Sequence, residues 1–356
     1  MWTAEEKSYL WLDSFPIAPA EKNALVAEAG GAVNLVRTFA AFESRFVQKG
    51  KAELYRNMLD SLRGDGYFKN LVATYERKKI MYVTRGTDGY PSGWKGLPDA
   101  PCVVYGKGDL SLLKTPLFTV VGSRRTEESY RKRGEQLSQE LSEHFTVLTG
   151  AAEGGDEAAA KGALRGGKVI CMLAGGFDYA PQDGSEFLQD VQERGAVITV
   201  CPPDTSVRNY SYERRNKLLA YASVGTLVLS AGEKSGALKT AEYARQAGKP
   251  VFAFPYSPNS PCGAGCNALI KKGAVLTENL IDISSYFGIN LKEKKNVSFT
   301  GDEECVFSVL QESGTAHVSE LSARLQMPVY KVIATLSKLE MKGLVAKAGG
   351  NRFSAL

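Results

Sequence analysis

Between residues 117 and 255 the chain repeats one pattern. Four to six consecutive apolar residues are followed by a turn of small residues and then by a stretch with apolar positions three and four apart. The runs LFTVV, FTVLTG, VICML, AVITV, TLVLS and PVFAFP show no polar alternation and are too short for helices, which predicts strands buried on both faces. Between them TEESYRKRGEQLSQELSEH, DEAAAKGALRGG, SEFLQDVQERG, YERRNKLLAYAS and LKTAEYARQAG carry helical spacing. Such alternation predicts a Rossmann-like α/β domain with a doubly wound, mostly parallel sheet, any ligand crevice lying beyond the carboxyl ends of its strands. Upstream, residues 1–80 read as short helices without strand runs, a helical (SAM-like) domain, and 81–116 as a Gly/Pro-rich connector with one short strand at CVVYG. Downstream, 283–303 is polar and reads as a linker. EECVFSVLQES, HVSELSARLQ and PVYKVIATLSKLEMKG then predict three helices, and LVAKAGGNRFSAL a hairpin turning at Gly-Gly-Asn, together a winged-helix module. The expected boundaries are 1–80, 81–290 and 300–356.

A chain of 356 residues with 44% hydrophobic and 10% aromatic content has ample material for buried cores, and its net charge of +5 suits a basic patch without requiring one. The start, MWTAEEKSYLWLDSF, has acids where a secretory signal needs bases, and no segment is apolar for the length of a membrane span, so a cytoplasmic protein with no membrane association is expected. Six cysteines at irregular spacings, four in or beside apolar runs, read as free thiols. Cys262 and Cys266 are the one close pair, and with His144 and His317 far away no metal site is expected.

The candidate chemistry sits where the predicted strands end. After LFTVV come Gly122, Ser123 and Arg124, a sharp turn whose amides could face an anion while Arg124 or Arg125 reaches a phosphate, with Thr126 as the expected N-cap of the next helix. Thr149 and Gly150 end the next strand ahead of Gly154, Gly155 and Asp156; the spacing is not GxGxxG, which argues against a nicotinamide cofactor, and no other cofactor is indicated. In SVRNYSYERRNK, Arg208, Arg214, Arg215 and Lys217 interleave with Tyr210 and Tyr212, with Asn216 among them. Cations for phosphates beside aromatic faces for bases are what single-strand binding needs. Ser235 and Gly236 open a helix bearing Lys239 and Thr240, and Gly265 and Asn267 precede another. Arg124, Arg215 and Lys217 are expected together at the carboxyl edge. General acids and bases are scarce there, Asp156 and Glu153 being the plausible carboxylates, so binding is favoured over catalysis. In the tail, Lys331, Lys338 and Lys342 are expected to share a face opposite Ile333 and Leu336 that assists a partner or duplex. Residues 301–356 nonetheless carry six basic and six acidic residues, a poor DNA clamp.

In this order the motifs resemble the DprA/Smf family of DNA-processing proteins. They are Gly122-Ser123-Arg124, the turn 149–156, Arg215-Asn216-Lys217, Ser235-Gly236-Ala237-Leu238-Lys239-Thr240-Ala241, and Gly265, Asn267, Leu269, Ile270, Gly273 and Ala274. Departures from the family pattern are Gly155 for isoleucine, Ala160 for histidine, Glu213 for proline, Lys217 for the last arginine of Arg-Asn-Arg, and Tyr256 for glycine. The resemblance implies a non-enzymatic protein that binds single-stranded DNA, self-associates as a homodimer, protects incoming DNA and helps load a RecA-type recombinase during natural transformation. The alternative is a nucleotide-binding or nucleoside-monophosphate-cleaving enzyme of the lysine-decarboxylase-like type. That type carries a catalytic glutamate in a Pro-Gly-Gly-x-Gly-Thr-x-x-Glu turn, where this chain has Ser-Gly-Ala-Leu-Lys-Thr-Ala.

Overall fold

A computed structural model describes residues 3–64, 66–180, 185–289, 299 and 301–355. The chain divides into two compact units, Met1–Ile289 and Asn290–Leu356. In the first, helices α1 (Ala4–Asp13), α2 (Pro19–Glu28), α3 (Ala32–Thr38), α4 (Glu43–Gln48), α5 (Ala52–Ser61) and α6 (Gly66–Arg77) precede the sheet. Its strands are β1 (Met81–Thr84), β2 (Val103–Gly108), β3 (Leu117–Gly122), β4 (Thr146–Gly150), β5 (Val169–Met172), β6 (Ala196–Thr199), β7 (Thr226–Ser230), β8 (Val251–Ala253) and β9 (Val275–Leu276). From β3 onward they alternate with α7 (Glu128–Ser142), α8 (Gly155–Gly166), α9 (Ser185–Arg194), α10 (Asn209–Ala222), α11 (Gly236–Gln246), α12 (Ala264–Lys271) and α13 (Leu280–Phe287).

The strand order is β1-β2-β6-β5-β4-β3-β7-β8-β9; β1 pairs with β2, and β2 with β6, antiparallel, while the other neighbours are parallel. The chain winds outward from β3 to β6, then crosses back to lay β7 on the other side of β3. The direction of winding therefore reverses between β3 and β7, which is where an open parallel sheet leaves its crevice. All six apolar runs form strands, buried because helices cover both faces.

The helices before β1 share a core with the sheet. Trp11, Phe39, Tyr55 and Met58 pack in one cluster with Cys102, Val103 and Tyr105. Buried within it, Lys22 donates to the Asp13 carboxylate at 2.8 Å and Tyr105 Oη donates to the same carboxylate at 2.9 Å. The expected connector holds more order than its glycines and prolines suggested: it contains β1 as well as β2, and Trp94, wholly buried, donates its indole N–H to Leu218 O of α10. Cys102, Cys171, Cys201 and Cys266 are buried free thiols, and burial pushes Cys102, Cys171 and Cys266 up to about 12. Among the described residues no single helix is long and apolar enough to cross a membrane.

Two expectations are corrected. The linker reading over 283–303 fails at its start, where α13 runs to Phe287. Asn279 caps α13, and Phe287 packs on Phe118, Phe145 and Phe252 with ring centroids 5.6–6.2 Å apart. The part of that reading at 290–298 and 300 lies outside the described residues. In the second unit, α14 (Gly301–Ser313), β10 (Thr315–His317), α15 (Val318–Leu325), α16 (Val329–Met341), β11 (Val345–Gly349) and β12 (Arg352–Ala355) form the winged helix, its hairpin turning at Gly350 and Asn351, both at positive φ. The expected cationic face of α16 is largely neutralised: Lys331 and Lys342 reach Asp302 and Glu303 of α14 at 2.8 and 2.9 Å. Of the two apolar residues expected opposite it, Leu336 is buried and Ile333 is exposed.

Candidate nucleic-acid interface

Two cavities open at the carboxyl edge, around the ends of β3, β4 and β7. One, of about 450 Å³, is lined largely by apolar groups: Ala151, Leu173, Ala174, Val207 and Tyr179, with Glu153 at its side. The other, of about 390 Å³, is cationic and polar. Arg124, Ala152, Tyr212 and Arg215 line both, forming a shared wall. On that wall the Arg124 guanidinium lies over the Tyr212 ring, 5.8 Å from its centroid, within cation–π range.

The fold brings Gly122, Ser123, Arg124, Arg215, Asn216, Ser235, Gly236 and Thr240 to the polar cavity. The other expected site residues stand elsewhere. Thr149 is buried in β4, its hydroxyl 3.5 Å from Asp156 O, and Gly150 lies behind the cavity wall. Arg214 sits close to Tyr90, Cys102 and Cys201, near enough for its charge to act on all three. Lys217 pairs with Asp99 at 2.7 Å, Lys239 with Glu213 at 2.8 Å, and Asn267 bonds both the N–H and the C=O of Tyr256. Arg215 and Lys217 therefore do not lie together. Two residues apart on a helix they point roughly 200° away from each other, so only one can face the crevice.

The β3 turn is also built differently from the expected amide cradle. Gly122 N donates to Asp156 Oδ1 at 3.0 Å, Ser123 N to Ser230 O and Oγ at 2.9 and 3.0 Å, and Arg125 N to Ser123 Oγ at 3.1 Å. These donors are spent inside the protein, and the turn offers an anion its arginine side chains instead. Thr126 does not cap α7. It donates to Ser123 O at 2.7 Å and bonds Ser230 Oγ, while Glu127 takes the N-cap position. The turn is held against α8 by an approach that only glycine permits: a Cβ on Gly122 would stand 2.7 Å from Gly155 Cα, and one on Gly155 only 2.4 Å from Gly122 Cα.

Arg215 is buried beneath the shared wall. Its Nη2 lies 3.9 Å from Asp156 Oδ2, its Nη1 donates to Met172 O at 3.2 Å, and its Nε to Asn216 Oδ1 at 2.9 Å. Burial raises the Asp156 carboxyl above its ordinary range, the nearby arginine opposing without reversing the shift. The pair exists because residue 150 has no side chain: a Cβ there would fall 2.0 Å from Arg215 Nη1 and 2.3 Å from Asp156 Oδ2. Gly150→Ala is accordingly expected to destabilise the first unit by about 1–3 kcal/mol through overpacking. A denaturation midpoint equal to that of the parent protein would contradict this placement.

The sequence pointed to Tyr210 or Tyr212 for stacking. Tyr212 lines both cavities, whereas Tyr210, though 68% exposed, lines neither. Tyr179 escaped notice; its signal was an aromatic residue a few positions after a strand end.

A doubly wound sheet with a cationic, aromatic-walled cleft at its switch point, in a chain that also carries a winged helix, defines a nucleic-acid-handling α/β protein. The chain belongs to the DprA family: the family model for DNA recombination-mediator protein A matches residues 81–288, and that for the DprA winged helix domain matches residues 294–351. It is 34% identical over 202 residues to the DNA processing protein DprA of Streptococcus pneumoniae (56% of this chain, 72% of the relative). It is 29% identical over 289 residues to Protein Smf of Escherichia coli (77% of each). The X-ray structure of the S. pneumoniae protein superposes with a TM-score of 0.62 at 25% identity, covering 80% of this chain and 98% of that one. The Helicobacter pylori DNA processing protein A, described for its single-stranded DNA binding mode, superposes at 0.53 and 25% identity over 59% of this chain and 98% of that one. The motif resemblance and the fold class are thereby borne out.

Proposed function

We propose that this chain binds single-stranded DNA in the cleft without transforming it, and that as a cytoplasmic homodimer it protects the strand and hands it to a RecA-type recombinase. The observation that carries the binding step is the Arg124–Tyr212 wall between a cationic cavity and an apolar one. A single strand presents phosphates and unpaired bases side by side, and this wall offers a partner to each. A duplex hides its base faces and gains only the cations. The single-strand binding mode described for the H. pylori relative supports the binding step, while the handover and self-association rest on the family membership alone.

The nucleotide-cleaving alternative needs a free carboxylate beside the ligand. Asp156 is buried and accepts from Gly122 N, which leaves Glu153 as the exposed acid beside the apolar cavity. Purified protein is expected to release no base from nucleoside monophosphates over hours, followed by chromatography of the products. Sustained turnover that disappears in Glu153→Gln would replace the binding reading with an enzymatic one.

A further inference from the structure

We propose that the cationic cavity is shaped for a terminal phosphate monoester, so that the protein takes a phosphorylated strand end, or a free nucleoside monophosphate, in preference to the interior of a strand. The inference rests on the single-strand reading of the cleft and narrows it.

Charge is the first argument. The charged side chains lining this cavity are the exposed Arg124 and Arg125 and the buried Arg215–Asp156 pair, so the cavity presents a ligand with the two positive charges of Arg124 and Arg125. An internal phosphodiester brings one negative charge, whereas a monoester carries roughly −1.5 to −2 at neutral pH, its second ionisation lying near 6. Only the monoester matches the cavity.

Shape is the second. Four of its lining residues, Asp156, Arg215, Ala237 and Thr240, are buried, and a terminal group reaches them with a single attachment to the strand, where an internal phosphodiester must bring two.

Unused hydrogen-bonding capacity is the third. Gly236 is the first residue of α11, an eleven-residue helix, and its N–H has no partner among the described residues, while Ser235 Oγ accepts from Ala237 N behind it. At the floor, Thr240 is wholly buried and its Oγ1 is also without a partner among the described residues. A buried hydroxyl left unpaired in a cavity calls for a ligand oxygen. A monoester has three free oxygens, enough for the Gly236 amide, the Thr240 hydroxyl and an arginine at once. A diester has two, and both ester oxygens must lead back out.

The test is equilibrium binding, by fluorescence anisotropy at fixed salt, of one oligonucleotide sequence in four forms: 5′-phosphorylated, 3′-phosphorylated, unphosphorylated and closed into a circle. Thymidine and its monophosphate serve as competitors. One phosphorylated form is expected to bind roughly ten- to a hundredfold tighter than the unphosphorylated strand, as charge-assisted hydrogen bonds would give. The monophosphate should compete where thymidine does not. The advantage should shrink below about pH 6, where the monoester loses its second charge. Arg125→Gln should bring the phosphorylated and unphosphorylated affinities together. Equal affinity for all four forms would overturn the end-group inference while leaving the single-strand reading in place. Failure of every form to bind would overturn both.

Discussion

Replacing Asp156 with alanine is expected to cost the first unit about 3–5 kcal/mol of stability, because it strands a buried guanidinium without its counter-charge. Arg215 stays protonated in any folded protein, and its bonds to Met172 and Asn216 are to neutral groups. Arg215→Met should cost a similar amount by stranding the carboxylate. Combining Asp156→Ala with Arg215→Met should cost less than the two single changes added together, since no charge then remains buried. No tryptophan follows residue 94, and Trp11 and Trp94 are buried in the first unit, so tryptophan fluorescence during urea unfolding reports on it. The pH dependence has a definite sign. The Asp156 carboxyl is raised, so the folded state holds its proton more tightly than the unfolded chain does. Its contribution to stability is then greatest below the ordinary carboxyl range and falls as pH rises through the raised value. Asp156→Asn should remove that slope. Strictly additive costs in the double variant would show that the two groups do not depend on each other.

Reversing both exposed cations of the β3 turn, in Arg124→Glu with Arg125→Glu, is expected to weaken single-strand binding by roughly a hundredfold or more, since each charge-assisted contact is worth about 1.5–3 kcal/mol. Both arginines are exposed at the mouth of the cleft, so folding should survive the change. If each engages one phosphate, the slope of log affinity against log salt should fall by about 1.4, about 0.7 for each. The loss should not depend on base sequence, and duplex DNA should remain a poor competitor. Lys217→Glu, by contrast, should act through its ion pair with Asp99 and leave the salt slope unchanged. Unaltered affinity in the double variant would place the strand outside this cleft.

The sheet was legible because its strands are buried on both faces, which leaves short unbroken apolar runs that few other elements produce. β1 and β9 were not, since Met81–Thr84 and Val275–Leu276 are too short and too exposed to stand out. The edge bearing the site was legible from turns of small residues after each run. The direction of individual side chains was not. In Arg214-Arg215-Asn216-Lys217 nothing local says which cation turns inward; that is decided by Asp156, dozens of residues earlier, and by the vacancy at Gly150. Lys331 and Lys342 misled for the same reason, their partners being on a different helix. α13 was hidden because its hold on the protein is the ring of Phe287 among Phe118, Phe145 and Phe252, contacts that no sequence window spans.

The bare backbone contact between Gly122 and Gly155 makes one side of the cleft a fixed jaw. Hydrogen bonds run across it in both directions, from Gly122 N to Asp156 and from Gly155 N to Ser123 O at 3.0 Å, so the β3 turn and the start of α8 move as one piece. The facing side, α10 with the start of α11, is tied to the same strand through Thr119 Oγ1, which lies 2.9 Å from Leu219 O and 2.7 Å from Ser223 Oγ, so neither side of the cleft shifts without disturbing β3 between them.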